Sequence, residues 1–306
     1  MTHAQQQIVN SREKNPTKIK QLAATGLNAK QIATMLGLTE GYVRVYMRYR
    51  MGNLVQAVAD AFMPTTFNRR FGVEIEAYNV DTQELVRQLY LAGVNATTGN
   101  RSSNLTNQWK VTTDSSINGA KAFEIVSPIL VGEEGLRELE IVCTVLAQMR
   151  AKVNKSCGMH IHIDAERFTL TQWKNLLKNY GKAEALIDSF LPISRRGDNN
   201  HFCKSVKNRE LQIDNATTLQ KIAKGALSGR YYKVNVQSYF VHKTVEFRQH
   251  SGTIEYRKIS NWVRFLHNLV TYSETHLIED ATLEGLATFN QAEIVSYFDE
   301  RIGELN

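Results

Sequence analysis

The 306-residue chain has only three cysteines, and they are far apart. Cys143, Cys157 and Cys203 form no C-x-x-C pair, so the sequence predicts neither a disulfide framework nor a cysteine-rich zinc site. The chain also lacks an apolar run near the length of a membrane span, and the polar residues 1–18 contain no apolar signal core. We therefore expect a cytoplasmic protein that does not enter a membrane.

Acidic residues are scarce in the N-terminal segment. Residues 1–70 hold ten Lys and Arg against three Asp and Glu, whereas residues 71–306 hold 27 of each sign. The whole formal charge of +7 therefore belongs to the N-terminal segment. Such an asymmetry indicates a polyanionic partner for that segment.

The basic segment has the spacing of three short helices between residues 17 and 50. Asn28 is placed to cap the second helix, and Thr39 the third after a tight turn. The pattern resembles the helix-turn-helix modules that bind DNA. The resemblance implies that the third helix enters a major groove and that Arg44 and Arg48 contact DNA. A three-helix bundle that contacts protein instead is the alternative.

We predict three segments in the chain: a helix-turn-helix module over 1–50, a linker helix and turn over 51–70, and a second domain over 71–306. In that domain, strands are predicted at 71–78, 108–113, 121–129, 158–164, 231–239 and 243–250. Helices are predicted at 81–92, 132–151, 169–189, 216–225, 257–277 and 290–302. Polar loops are predicted at 95–107 and 194–209.

Three predicted strands carry an acid, a histidine or an arginine at every second position. They read FGVEIEAY from residue 71, CGMHIHID from 157 and TVEFRQHSGT from 244. Because side chains alternate faces along a strand, each strand has one ionisable face and one apolar face. With one further predicted strand, they supply four carboxylates and two imidazoles: Glu74, Glu76, Glu124, Glu246, His160 and His162.

This ligand set favours Mg²⁺ or Mn²⁺, because carboxylates suit hard cations and imidazole adds tolerance for Mn²⁺. Two ions are needed to offset so much negative charge, and two carboxylate-bound ions usually accompany polyphosphate substrates. Arg248 lies on the same strand face as Glu246, where a guanidinium can bind a phosphate oxygen in bidentate fashion.

Six strings, in this order, carry a family resemblance: GVEIE (72–76), WKVTTDSS (109–116), FEIVSP (123–128), CGMHIHID (157–164), YKVN (232–235) and TVEFRQHSGT (244–253). They resemble the amidoligase branch of the carboxylate–amine ligases, relatives of glutamine synthetase and glutamate–cysteine ligase. The resemblance implies an α+β fold, in which a curved, mostly antiparallel sheet carries helices on its outer face, as in the glutamine synthetase catalytic domain. It also implies ATP and two Mg²⁺ or Mn²⁺ ions as cofactors.

The resemblance further implies roles for individual residues. Glu74, His160 and Glu246 would bind one metal, and Glu76 and Glu124 the other. Arg248 would contact the γ-phosphate. His162 and Asp164 would support the metal ligands or contact the nucleotide. Asp114 and Ser116 would contact the amine or carboxylate substrate. The remaining candidates for nucleotide or substrate binding are Arg195, Arg196 and Asn235, the last of which could instead satisfy a turn.

The predicted function is ATP-dependent amide formation through an acyl phosphate, between a small-molecule or peptide carboxylate and an amine. The N-terminal module would direct the enzyme to nucleic acid or to a protein partner, and an oligomer is compatible with the sequence. One alternative is a DNA-binding regulator whose ligase-like domain senses a ligand, although the retained acids and Arg248 argue against it. A metal-dependent hydrolase is another, but it lacks a nucleophile in the pattern. The long nucleotide-binding insertion of glutamine synthetases is missing from the sequence, and nothing selects a particular substrate.

Overall fold

The structure is a computed structural model, and it describes residues 1–13, 15–50, 66–99 and 107–305. The chain divides into two compact units, Met1–Pro64 with Ile278–Asn306 and Thr65–Leu277. The predicted domain boundaries stay a prediction, and these units differ from them by grouping the C-terminal helices with the N-terminal ones. The predicted linker helix and the middle of the loop at 95–107 lie outside the described residues.

In chain order, the helices are α1 (His3–Asn10), α2 (Asn15–Ala24), α3 (Ala29–Leu36), α4 (Glu40–Arg50), α5 (Thr82–Leu91), α6 (Gly132–Gln148), α7 (Leu170–Ser189), α8 (Glu210–Asn215), α9 (Leu219–Lys221), α10 (Ser238–His242), α11 (Tyr256–Ser273), α12 (Leu283–Leu286) and α13 (Ala292–Leu305). The strands are β1 (Arg70–Ala77), β2 (Ala96–Thr98), β3 (Trp109–Thr113), β4 (Phe123–Val126), β5 (Leu130–Val131), β6 (Met159–Asp164), β7 (Val234–Asn235) and β8 (Thr244–Phe247). A short 3-10 helix spans Ile193–Arg195, and a π-helix spans Ile222–Ala226. None of the described helices is long and apolar enough to cross a membrane.

The predicted N-terminal helices are present, and local capping explains their limits. Asn28 accepts a hydrogen bond from the backbone of Gln31 at the start of α3, and Gly37 ends that helix in the left-handed conformation. Thr39 caps α4 by accepting from the backbone N–H of Tyr42 at 3.2 Å. The buried side chains shared by α2, α3 and α4 are Ile19, Leu22, Ile32, Ala33 and Val43. A helix-turn-helix function for this bundle stays a prediction.

Helix α4 also packs against the C-terminal helices of the same unit. The Thr39 hydroxyl donates to the buried carboxylate of Asp299 on α13. The Arg44 guanidinium pairs with Glu40 one turn earlier and lies 3.7 Å from Oε1 of Glu284 on α12. The predicted DNA-contacting Arg44 is thus already engaged by two carboxylates, while the side chain of Arg48 lies outside the described residues.

The larger unit holds an eight-stranded sheet in the order β2-β3-β4-β1-β6-β8-β7, with β5 paired to β1. Strands β2 and β3 run parallel, and every other pair is antiparallel. The predicted mixed fold with a mostly antiparallel sheet is therefore confirmed. Apolar side chains on one face are almost completely buried, among them Val73, Ile75, Ile161, Val245 and Phe247. Helix α5 contacts β2 and β3, and α11 contacts β6.

The predicted strand at 231–239 is wrong over most of its length. Only Val234–Asn235 is extended, and helix α10 begins three residues later at Ser238. The Asn235 side chain explains the change, because its Oδ1 accepts the backbone N–H of Gln237 at 2.9 Å. Such a local bond turns the backbone away from a sheet ladder.

The predicted helix at 216–225 is also interrupted. The segment begins with a single helical turn, α9, which Thr218 caps, and continues as the π-helix Ile222–Ala226. Helix α8, which was not predicted, precedes α9. Gly225 lies within the π-helix, where its backbone freedom disfavours a regular helix. Periodicity alone could not resolve such short pieces.

A buried lysine supports the loop at 194–209 of the larger unit. The Lys233 Nζ, with no exposed surface, lies 2.9 Å from Glu184 Oε1 and 2.7 Å from Asp188 Oδ1, both on α7. The other oxygen of Glu184 accepts the backbone N–H of Val206, and that of Asp188 accepts the N–H of Gly197. The two acids thereby hold both ends of the loop.

We predict that Lys233→Met destabilises the protein by about 3–5 kcal/mol, because it leaves the buried Glu184 and the half-buried Asp188 without a cation. The matched control is Lys178→Met, which removes the partly exposed pair with Asp214 at 3.2 Å and costs less than about 1 kcal/mol. Urea unfolding followed by circular dichroism measures both free energies. Equal losses in the two variants would contradict a structural role for the buried pair.

Candidate functional site

The polar face of the sheet lines a cleft of about 1150 Å³. Strands β1, β3, β4, β6, β7 and β8 contribute to it, together with residues 193–195, 199–202 and 230–231. The predicted site residues that line it are Glu74, Glu76, Asp114, Ser116, Glu124, His160, His162, Arg195, Asn235, Glu246 and Arg248. The structure therefore brings residues from six separate sequence strings and from the loop at 194–209 to one place.

Strand register explains this convergence. The directly opposed pairs are Glu76 with Glu124, Glu74 with His160, and His162 with Glu246. Because opposed residues in an antiparallel sheet share a face, the acids and imidazoles form neighbouring rows. The alternation read from the sequence thus becomes a charged surface once the strands pair.

Glu74, His160 and Glu246 form the first group of potential metal ligands. One ligand atom from each lies within 4.8 Å of the others. The His160 Nδ1 is 3.0 Å from Glu74 Oε2 and 3.6 Å from Glu246 Oε1. Two carboxylates and one imidazole at this spacing fit a Mg²⁺ or Mn²⁺ ion.

Glu76 and Glu124 form a second group together with His160, again within 4.8 Å of one another. Sequence reasoning expected the two acids but not the shared histidine. Glu76 Oε2 also accepts the backbone N–H of Gly158 at 2.6 Å, which fixes this carboxylate beside the imidazole. The second group fits the same hard cations, and His160 belongs to both groups.

The two acids of the first group, Glu74 and Glu246, are held in their charged form. Burial alone raises the pKa of Glu74, but hydrogen bonds and charge from His160 and His162 outweigh burial and bring the pKa well below its usual value. Burial also raises the pKa of Glu246, and the charges of His162 and Arg248 bring it below its usual value. Ionised carboxylates are the form that binds a metal.

His162 belongs to neither ligand group and instead holds Glu74 in position. Its Nε2 lies 3.2 Å from Glu74 Oε1, and its Nδ1 lies 2.8 Å from the Thr244 hydroxyl and 3.1 Å from the Ser238 hydroxyl. Two oxygens on one ring nitrogen and a carboxylate on the other fix the ring plane. Sequence reasoning missed Ser238 and Thr244, although Thr244 is the residue two positions before Glu246.

Asn235 and Arg248 hold Glu246 in the same way. The Asn235 amide donates to Glu246 Oε2 at 2.6 Å, and the Arg248 guanidinium donates to Oε1. Asn235 therefore orients a candidate metal ligand in addition to starting the turn after β7. Arg248 is half-buried and also faces the open cleft.

Arg195, Asp114 and Ser116 occupy other parts of the cleft wall. Arg195 is only 5% exposed; its Nη2 donates to the Cys157 carbonyl, and its Nε has no hydrogen-bond partner within the described part of the chain. Asp114 is buried, and its Oδ1 accepts from the backbone and the hydroxyl of Ser116 at 2.8 and 2.6 Å. A guanidinium on the wall of a cleft is suited to binding an anionic ligand.

Two predicted nucleotide or substrate contacts, Asp164 and Arg196, lie elsewhere. Asp164 does point to the polar side of β6, but at the end of the strand, where Arg70 Nε donates to its Oδ2 at 2.9 Å. Arg196 donates through Nε to the Leu191 carbonyl at 2.7 Å, just beyond the end of α7. Neither residue is among those that line the described cleft.

Gly158 is a site residue that the alternation could have revealed, since it precedes His160 by two positions. A Cβ atom at Gly158 would lie 2.9 Å from His160 Nε2 and 3.4 Å from Glu76 Oε2. Real Cβ atoms almost never make the first of these contacts. The glycine therefore lets the shared histidine approach the backbone.

We predict that Gly158→Ala displaces the His160 ring and weakens Mn²⁺ binding by about tenfold or more. Gly72→Ala is the matched control on the neighbouring strand, because its added Cβ would meet nothing closer than 3.6 Å. Isothermal titration with Mn²⁺ measures affinity, and circular dichroism checks that both variants are folded. The metal assignment fails if the wild-type protein binds no Mn²⁺ or if the two variants bind it equally well.

The family model described as "putative amidoligase enzyme" matches residues 67–270, a range that contains every cleft residue named above. No curated protein matches the chain.

Proposed function

The chain belongs to the amidoligase family, and on that premise we propose that it is an ATP-dependent ligase that joins a carboxylate to an amine through an acyl phosphate. The observation that carries the proposal is the pair of ligand groups that share His160, with Arg248 beside Glu246. Two groups of carboxylates next to a guanidinium match the needs of phosphoryl transfer from a nucleoside triphosphate. The antiparallel sheet with its ionisable face also supports a glutamine synthetase-like catalytic domain.

We assign Glu74, His160 and Glu246 to one Mg²⁺ or Mn²⁺ ion, and Glu76 and Glu124, near the same histidine, to a second. When bound, two such ions neutralise phosphate charge and align the transferring group. Their geometry would depend on the residues that orient the ligands. Asn235 and His162 are positioning residues of this kind, since they hold Glu246 and Glu74.

The chemistry has two balanced steps. An oxygen of the substrate carboxylate attacks the γ-phosphorus of ATP, the bond to the β–γ bridging oxygen breaks, and ADP leaves. The amine nitrogen then attacks the acyl carbon, the carbon–oxygen bond to phosphate breaks, and the nitrogen loses a proton as phosphate leaves. Arg248 would donate to the oxygens of the transferring phosphoryl group, where charge shifts in the transition state.

The proposed place for the small-molecule or peptide substrates is the end of the cleft next to β3, away from Arg248. Lys110 lies on β3, and Asp114 and Ser116 directly follow it, so this end presents both signs of charge. Arg195 would bind a substrate carboxylate or a phosphate from the cleft wall that it lines. Polar groups of both signs suit a carboxylate and an amine better than an apolar ligand.

We expect Glu246→Gln to reduce ADP formation by about 100-fold or more, because the amide removes the charge and one ligand oxygen from the first group. Asp214→Asn, which alters an exposed carboxylate on α8, is the matched control and keeps wild-type activity. The assay incubates each protein with ATP, Mg²⁺ or Mn²⁺ and pooled amino acids and measures ADP and phosphate. Full activity in the Gln variant would refute the metal assignment, and no ADP from wild-type protein with any pool would refute the ligase.

The second candidate function is a DNA-binding regulator, or a ligase that the N-terminal helices direct to nucleic acid. The concentration of positive charge in residues 1–70 favours it. The packing of α4 against α13 and the engagement of Arg44 by two carboxylates weigh against DNA reading by this helix. For this reason we give the ligase precedence.

DNA binding by these helices predicts that the double variant Arg44→Ala with Arg48→Ala binds duplex DNA more weakly. The slope of log K against log salt concentration becomes less steep by about 0.9 for each phosphate that the variant no longer neutralises. Fluorescence anisotropy at several salt concentrations measures the affinity and its slope. Arg87→Ala, on the exposed surface of α5, serves as the control for the removal of a positive charge. Identical curves for wild type and the double variant would favour a protein-contact role for the N-terminal helices.

A further inference from the structure

Three aromatic side chains cluster at one edge of the cleft: His201, Phe202 and Tyr231. Their ring centroids are 5.4–5.5 Å apart in all three pairs. We call this cluster the aromatic edge. Phe202 is 56% exposed, although it packs against two other rings. An exposed phenyl ring in an aromatic cluster on a charged cleft is a feature of ligand sites rather than of a folding core.

Two guanidinium groups flank the aromatic edge. The Cζ of Arg230 lies 5.1 Å from the centroid of the Tyr231 ring, and its Nη2 lies 3.1 Å from the Tyr231 hydroxyl. The Cζ of Arg248 lies 5.9 Å from the same centroid. Flat rings next to cations suit a ligand that combines a planar ring with negative charge.

Arg248 connects the aromatic edge with the first ligand group. Its guanidinium donates to Glu246, and its Nε lies 3.5 Å from the Phe202 carbonyl oxygen. A ligand that extends along Arg248 would therefore reach from the exposed rings to the candidate metal ligands. A nucleotide bound along this path would have its base at the exposed rings and its terminal phosphate at the candidate metal ligands.

The strand order places β3 on the other side of the sheet from β8 and β7. The cleft residues on β3 and directly after it are polar or charged, and they include Lys110, Asp114 and Ser116. Among the described residues that line the cleft, the only phenyl or phenol rings are those of Phe202 and Tyr231. A planar apolar group thus finds a stacking partner at one end only.

We propose that the aromatic edge binds the base of the nucleotide by stacking, with Phe202 as its exposed contact. The triphosphate then passes Arg230 and Arg248 and reaches the ligand groups, which leaves the polar end for the carboxylate and amine. This assignment rests on the proposed function, and it gives the two kinds of substrate opposite ends of one cleft.

The test compares two ligands that differ only in the base and sugar: ATP and inorganic tripolyphosphate, each titrated calorimetrically with Mg²⁺. Phe202→Ala weakens ATP binding by about 10- to 100-fold, because the base no longer stacks on a phenyl ring, and leaves tripolyphosphate affinity within about twofold. Phe202→Trp keeps a ring in place and retains ATP affinity. The exposure of Phe202 makes all three proteins comparable in fold, which circular dichroism verifies.

Ile193→Ala is the matched control, since Ile193 is another exposed apolar side chain, 77% exposed, that lines the same cleft outside the aromatic edge. It changes neither affinity. Unchanged ATP affinity in Phe202→Ala, or equal losses for ATP and tripolyphosphate, overturns the proposal while leaving the ligase intact. Wild-type protein that binds neither ligand overturns both the proposed function and the assignment of the aromatic edge.

Discussion

The interaction of Glu74 with His160 and His162 is the constraint on which the remaining structure depends. A carboxylate that is largely removed from water is costly unless it is paired, and the two imidazoles on β6 pair with the half-buried Glu74. They can do so only in the observed register of β1 and β6. The same register buries Val73 and Ile161 on the opposite face, so a slip of one residue would expose the core and disperse the site together.

A second set of charged side chains, around the buried Lys233, supports the wall of the cleft. Asp188, which pairs with Lys233, also accepts from the Gln249 amide, and that amide lies 3.2 Å from the carbonyl oxygen of Arg195. The backbone of the loop that carries Arg195 and Phe202 is therefore tied to α7 and to Gln249, two residues beyond the end of β8. The Y-K-V-N string of the family resemblance thus contains a structural lysine, Lys233, next to the positioning residue Asn235.

The strands with alternating acids and histidines could be predicted because their period of two is a local property of the sequence. The structure confirms that the acids and histidines of β1, β6 and β8 share one face of the sheet and that antiparallel pairing predominates. Features set by distant partners could not be predicted. Asp164 pairs with Arg70 outside the cleft, and α13 packs on α4. Loop packing rather than periodicity decides that Arg195 lines the cleft and Arg196 does not. The aromatic edge joins two irregular segments and has no sequence pattern at all.

The central claim is that a substrate carboxylate attacks ATP in this cleft and transfers one of its oxygens to phosphate. The direct measurement uses ¹⁸O-labelled carboxylates from the active amino-acid pool, with ATP and Mg²⁺, and follows the released phosphate by ³¹P NMR. An acyl phosphate predicts one labelled oxygen in each phosphate released. Unlabelled phosphate, accompanied by incorporation of label when the reaction runs in ¹⁸O water, would show hydrolysis of ATP by water and would contradict the account.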